Sequence, residues 1–140
     1  MCDILLVIIE GIWGNEKLYK VIFYEDKKGY SQVYEFIKEL VNGDSKDARI
    51  NAAKVNDYIQ ALAEYGTYVG MPVCRHLEDN IWELRPLNNR ILFAGLSESR
   101  FILLHQFVKK TKKTPKKEIE KAKREFADYV ERNTENEGME

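Results

Sequence analysis

Apolar and aromatic residues alternate loosely with polar ones from Leu18 to Tyr24, the two-residue period of a strand. Beyond the turn-forming stretch Glu25–Gly29 the period lengthens. Val33, Phe36, Ile37, Leu40 and Val41 recur three and four residues apart, which predicts a helix with Ser31 as its N-cap. Asn42-Gly43 ends it. Asp44 is placed to cap a second helix whose apolar face is Ala48, Ala52, Val55, Ile59 and Leu62, closed by Gly66. Two such helices in succession form a hairpin.

From Met71 the two-residue period returns in Met71–Leu77, Ile81–Arg85, Arg90–Ala94 and Arg100–Val108. The joining pieces are short and turn-rich, so these strands are expected to pair antiparallel. Thr114-Pro115 offers a cap followed by a proline at the first turn of a last helix, with Ile119, Ala122, Phe126 and Val130 on its buried face. The order is β-α-α-β-β-β-β-α, an α+β fold with a small twisted antiparallel sheet, an N-terminal helical hairpin and a C-terminal helix.

Side chains alternate across a strand, which puts Trp82 and Leu84 on one face and Glu83 and Arg85 on the other. Arg90, Leu92 and Ala94 oppose Ile91 and Phe93. Phe101, Leu103, His105 and Phe107 share one face, while Gln106 points to the other. With helices over Trp82 and Leu84, the open face is expected to collect Arg85, Arg90 and His105.

A chain of 140 residues with 44% hydrophobic and 32% charged residues suits one folded domain with its own core. Residues 18–132 are read as that domain, residues 1–17 as an N-terminal extension and residues 133–140 as a disordered tail. Two cysteines, Cys2 and Cys74, are too few for a disulfide framework, and the Lys/Glu-rich composition fits a cytoplasmic protein. The apolar run Ile4–Ile9 is too short for a signal-peptide core or a membrane span. No membrane partner is expected.

The formal charge of −1 hides an uneven distribution: Lys109 to Arg124 holds nine basic residues against two acidic ones. A lysine run ahead of a helix is ordinarily a solvated surface, and Glu83 stands where it can pair with Arg85. Beside sheet arginines, however, the lysines suit a polyanion, since guanidinium forks grip phosphate oxygens and ammonium groups add point charge. Phe107, Tyr68 and Tyr30 are the aromatic candidates for stacking an unpaired base. Cys74 and His76 share a strand face, but two cysteines and two histidines without a spacing motif supply no zinc site. No metal or cofactor is expected.

The stretch Gly70–Arg85 with its Trp-Glu-Leu-Arg strand, then Asn89–Phe93, then His105-x-Phe-x-Lys-Lys-x-x-Lys-Thr-Pro115 and the helix start Glu118–Ala122 resembles the RelE/HigB toxin superfamily in its phage-derived HigB-like branch. The likeness runs over roughly residues 19–130. It implies a RelE-like fold and the toxin of a type II toxin–antitoxin system, an endoribonuclease that cleaves mRNA, commonly in the ribosomal A site. It also implies a neutralising helix-turn-helix antitoxin as partner. Arg85 and Arg90 match the family's sheet arginines, and His105, Lys109 and Lys110 its last-strand basic cluster. These five are the candidate catalytic residues. Arg75, His76, Lys112, Lys113 and Lys116 are the candidate RNA-binding residues. Gln106 departs from the small residue common in the family, and residues 1–17 precede the family's usual start.

The chemistry this implies is metal-free attack of a ribose 2′-hydroxyl on the adjacent phosphate. His105 is the acid/base candidate because imidazole titrates near neutrality, and Arg85 and Arg90 neutralise the phosphate, with Lys109 or Lys110 in either role. The competing expectations are a non-catalytic RNA- or ribosome-binding module and an inactive relative kept as a regulatory partner.

Overall fold

The computed structural model describes residues 19–97 and 99–138. The N-terminal extension 1–17 and the start of the first expected strand at Leu18 lie outside the described residues. The elements are β1 (Lys20–Phe23), α1 (Gln32–Asn42), α2 (Lys46–Tyr65), a 3-10 turn (Gly66–Val69), β2 (Cys74–Glu78), β3 (Ile81–Leu84), β4 (Asn89–Ser97), β5 (Arg100–Val108) and α3 (Lys116–Gly138).

Ser31 caps α1 as expected, its hydroxyl accepting from the Tyr34 amide at 3.2 Å. The cap of α2 is Ser45, whose hydroxyl accepts from Ala48 N at 3.0 Å. Asp44, expected in that role, instead offers its carbonyl to Arg49 Nη1 at 2.9 Å. Gly66 ends α2 at φ 63°, and a Cβ there would fall 2.7 Å from the Tyr19 ring. Only glycine meets both the left-handed backbone and the close approach.

The five strands lie in the order β1-β5-β4-β3-β2. Neighbours from β2 to β5 are antiparallel, but β1 runs parallel to β5, with Val21 opposite Phe101. The sheet is therefore mixed rather than antiparallel throughout. A parallel neighbour needs a long connection, and the helical hairpin with three strands supplies it.

Each face of the sheet is covered. Val33, Ile37 and Val41 of α1 and Val55, Ile59 and Leu62 of α2 pack on Leu84, Ile91, Phe93, Phe101 and Leu103. On the other face Ala122, Phe126 and Tyr129 of α3 pack with Ile81, Leu92, Ala94, Ile102 and Leu104. The face expected to be open thus lies partly under α3, and Glu83, expected on its wet side, is fully buried. Tyr129 takes the place expected of Val130, which is exposed; the step of three from Phe126 keeps the stripe on one side of the helix.

The helix runs on to Gly138, past Arg132 where the apolar pattern fades, and Asn133 Nδ2 donates to the Tyr129 carbonyl at 2.8 Å. No helix among the described residues is long and apolar enough to cross a membrane.

One irregularity decides the orientation of the last strand. Leu92 pairs with His105 but Phe93 pairs with Leu103, leaving Leu104 as an extra residue in β5. Such a bulge reverses the alternation beyond it. Phe101 and Leu103 therefore face the helical hairpin, whereas His105 and Phe107, expected on their side, face α3. Gln106 points the opposite way from His105, as expected, and bonds with Gln32 of α1 and Asn89 of β4.

Candidate nucleic-acid interface

Cross-strand register assembles a row on the α3 side of the sheet. Arg75 of β2 lies opposite Glu83 of β3, Glu83 opposite Leu92 of β4, and Leu92 opposite His105 of β5. In the neighbouring row Arg90 lies opposite Phe107, and Arg85 follows the last β3–β4 pair, Leu84 with Ile91. Arginines of β2 and β4 and the one just after β3 thus converge.

Glu83 is their counter-charge. Its Oε2 stands 2.9 Å from Arg75 Nη2 and 2.8 Å from Arg85 Nη1, while its Oε1 accepts from the Thr114 hydroxyl at 2.6 Å. Sequence reading set Thr114 as a helix cap; its hydroxyl is spent on Glu83 instead, and the first α3 amides, those of Glu118 and Ile119, reach the Pro115 carbonyl.

Arg90 is buried at 6% exposure. Its Nη1 donates to the carbonyls of Leu87 and Asn89 at 2.9 and 2.8 Å, which fixes the plane of the fork. Leu87 sits in the β3–β4 turn at φ 57°, a conformation L-residues adopt at a cost. Burial first, and then the charge of Arg85 beside it, push the Arg90 guanidinium below its ordinary value, with Glu83 opposing. Arg75 and Arg85 bond the one buried carboxylate while Arg90 beside them bonds backbone carbonyls, so an arriving anion relieves the excess of positive charge.

Beyond Arg90 the end of β5 and the segment leading to α3 enclose a small hollow lined by Arg90, Phe107, Lys109, Thr111, Lys112, Lys113, Thr114 and Pro115. Both ends of its rim are anchored. Lys109 N donates to the Asn88 carbonyl at 2.8 Å and Thr114 is tied to Glu83, while between them Thr111 Oγ1 donates to the Lys113 carbonyl at 2.7 Å. The hollow itself, about 10 Å³, has room for one water-sized group, so its cationic rim and aromatic wall suit a phosphate lying against them at the surface.

The structure thus brings Arg90, Lys109, Lys112 and Lys113 to one place, with Arg85 and Arg75 alongside. Other expected residues stand apart. Lys110 and Lys116 are exposed and outside the lining. His76, on the opposite face of β2 from Arg75, lays its ring 5.0 Å from that of Trp82, and its Nε2 lies 2.8 Å from the Asp79 carbonyl. Of the aromatic candidates Phe107 lines the hollow, whereas Tyr68 and Tyr30 are exposed elsewhere. The Cys74 thiol is buried, and burial pushes it up from its ordinary value.

His105 is only 1% exposed. Both ring nitrogens meet carboxylates of α3: Nδ1 is 2.6 Å from Glu125 Oε1 and Nε2 is 3.0 Å from Glu118 Oε1. It adjoins Phe107, ring centroids 6.1 Å apart, beneath the helix rather than in the hollow. Sequence reading missed this clasp because acidic residues in a lysine-rich helix look like ordinary surface. It also missed Thr114 as a partner of Glu83, a contact between residues far apart in the chain that leaves no local signature.

A family model, that of the phage-derived Gp49-like proteins (DUF891), matches residues 44–127, a span that includes Arg75, Glu83, Arg85, Arg90, His105, the basic segment and the α3 carboxylates. No curated protein matches the chain.

Proposed function

The chain belongs to the Gp49-like family of phage-derived proteins, a family related to RelE/HigB-type toxins, and on that footing we propose that it is the toxin of a type II toxin–antitoxin pair that inhibits translation by cutting mRNA. The observation that carries this reading is the hollow of Arg90, Phe107, Lys109, Lys112 and Lys113 beside the Arg75–Glu83–Arg85 cluster. Cations from strands and loop meet there with an aromatic ring, an arrangement for a single-stranded polynucleotide whose phosphate is gripped and whose base stacks.

In the proposed reaction the 2′-hydroxyl gives its proton to water as its oxygen attacks the neighbouring phosphorus, the 5′-oxygen leaves with a proton, and the 2′,3′-cyclic phosphate remains. Arg90 and the lysines neutralise the charge that builds on the phosphate oxygens, and the Lys109 ammonium is the proton donor for the departing 5′-oxygen. His105 reaches that phosphate only if α3 releases it. Its burial between Glu118 and Glu125 favours a second reading, a non-catalytic RNA- or ribosome-binding module in which His105 holds the helix. A helix-turn-helix antitoxin and a codon-dependent cut in the ribosomal A site belong to the first reading as proposals.

Induction of the chain in growing bacteria, with 5′-end mapping of transcripts for wild type and Arg90→Ala, tests both. Growth arrest with new transcript ends that vanish in the variant supports the nuclease. Arrest with intact transcripts selects the binding module, and normal growth from abundant soluble protein rejects both.

A further inference from the structure

We propose that Glu83 is a positioning residue for the RNA site, setting two of its cationic walls at once. The inference rests on the RNA-binding reading above. A carboxylate in the middle of a polyanion site ordinarily weakens it, since it offsets positive charge the ligand needs. Glu83 nevertheless lies there with no exposure to solvent, and each of its oxygens has a separate task.

Oε2 is shared by Arg75 Nη2 and Arg85 Nη1 at 2.9 and 2.8 Å. The two guanidinium groups repel one another, so without the carboxylate between them their long side chains would spread into solvent. Arg75 depends on it most, because its Nε is buried without a hydrogen-bond partner among the described residues. Glu83 supplies the polar contact that orients that fork.

Oε1 holds Thr114 at 2.6 Å. Thr114 itself lines the hollow and ends the segment that carries Lys109, Lys112 and Lys113. One buried carboxylate thereby sets Arg75 of β2 and Arg85 just beyond β3 and seats the lysine loop against Arg90. Sites of this kind depend on supporting contacts at the level of an ångström or less.

The two roles differ in sign. If Glu83 merely offset charge, Glu83→Gln would raise the positive charge and tighten RNA binding. As a positioning residue its loss weakens binding despite the added charge, by roughly tenfold. Thr114→Val changes no charge and frees only the loop, so it also weakens binding, whereas Thr114→Ser restores it.

The experiment is equilibrium binding of a short single-stranded RNA, made uncleavable by 2′-O-methylation at every position, to wild type, Glu83→Gln, Thr114→Val and Thr114→Ser, with each variant's fold checked by circular dichroism. Weaker binding by Glu83→Gln and Thr114→Val, with recovery in Thr114→Ser, supports the proposal. Equal or tighter binding by folded Glu83→Gln overturns it. Should Glu83→Gln fail to fold, the two threonine variants decide: unchanged affinity in Thr114→Val overturns the coupling to the loop. Wild type that binds no oligonucleotide brings down the RNA-binding reading itself, and this inference with it.

Discussion

His105 Nδ1 stands 2.6 Å from Glu125 Oε1, and Glu118 Oε1 closes on the other ring nitrogen at 3.0 Å, so a residue of the last strand is clasped from both sides by the last helix. A neutral imidazole donates from only one nitrogen. Both contacts are satisfied together when the ring carries two protons or one carboxyl holds a proton. His105→Ala leaves a hole and two carboxylates without a donor, and is expected to cost about 2–4 kcal/mol of stability. His105→Gln, with one amide donor group, falls between. Chemical denaturation of the three proteins checks this, and an alanine variant as stable as wild type would show that the clasp does not hold the helix.

Phosphate contact by the lysine loop carries a signature in salt. For a single strand the slope of log affinity against log salt is about −0.7 per neutralised phosphate. Replacing Lys109, Lys112 and Lys113 together by Ala is expected to flatten the slope by roughly 1–2 and to weaken binding at low salt across sequences. Arg90→Ala, which removes a charged hydrogen-bonding group, is expected to cost about 1.5–3 kcal/mol. Titrations at several salt concentrations give both quantities. A triple variant with the wild-type slope places the phosphates elsewhere.

Leu87 holds a left-handed conformation at φ 57° while half exposed, and its carbonyl accepts from Arg90. Strain of that kind collects where a backbone group must be aimed. Leu87→Gly is expected to relieve up to about 1 kcal/mol of it, partly offset by lost contact. Leu87→Ile, β-branched, is expected to destabilise. Melting temperatures for the pair settle the matter, since an isoleucine variant above wild type contradicts the strain.

Tyr24 and Asp128 tie β1 to α3 and give a pH dependence at both extremes. The Tyr24 hydroxyl donates to Asp128 Oδ2 at 2.7 Å. Burial, and then that bond, push the phenol up to about 12 from an ordinary 10.0. The folded state therefore keeps the proton where the unfolded chain gives it up. The contribution is complete below pH 10 and lost as the pH rises to about 12. Asp128 is held below its ordinary value by the same bond and then by Arg132, so its part is present above that value and lost as the pH falls through the lowered one. The melting-temperature gap between wild type and Tyr24→Phe should be steady near neutrality and shrink through both limbs. A gap that widens above pH 10 reverses the sign and defeats the argument.

Period and punctuation made the order of elements legible: Ser31, Gly43 and Gly66 mark helix ends where they were expected, and of the expected apolar steps Val33, Ile37, Val41, Ala52, Val55, Ile59 and Leu62 are buried while Phe36, Leu40 and Ala48 are half-buried. Faces were harder. The bulge at Leu104 has no marker in the run Phe101–Val108, and it decides which side of the sheet receives His105. Glu83 was legible as a partner of Arg85, but its buried position comes with Arg75 and Thr114 closing on the same carboxylate, contacts from other elements that local pattern does not show. Arg90 and the lysines were legible as cations. Their meeting at Phe107 depends on the contact between Glu83 and Thr114, which local pattern does not encode.

The parallel strand at the sheet's edge sets a timetable for synthesis. Lys20–Phe23 finds its partner in Arg100–Leu103, so its ribosomal exit precedes that of its partner by about 80 residues, roughly 4–16 s at 5–20 residues per second. Until then Val21 has no sheet to join, and a chain broken off before Leu103 cannot finish the fold. The cationic hollow comes later still, because it needs Lys109 through Pro115 and the carboxylate that seats them. If its target is a message under translation, every codon from Lys20 through Pro115 is read before the product has a surface with which to hold RNA.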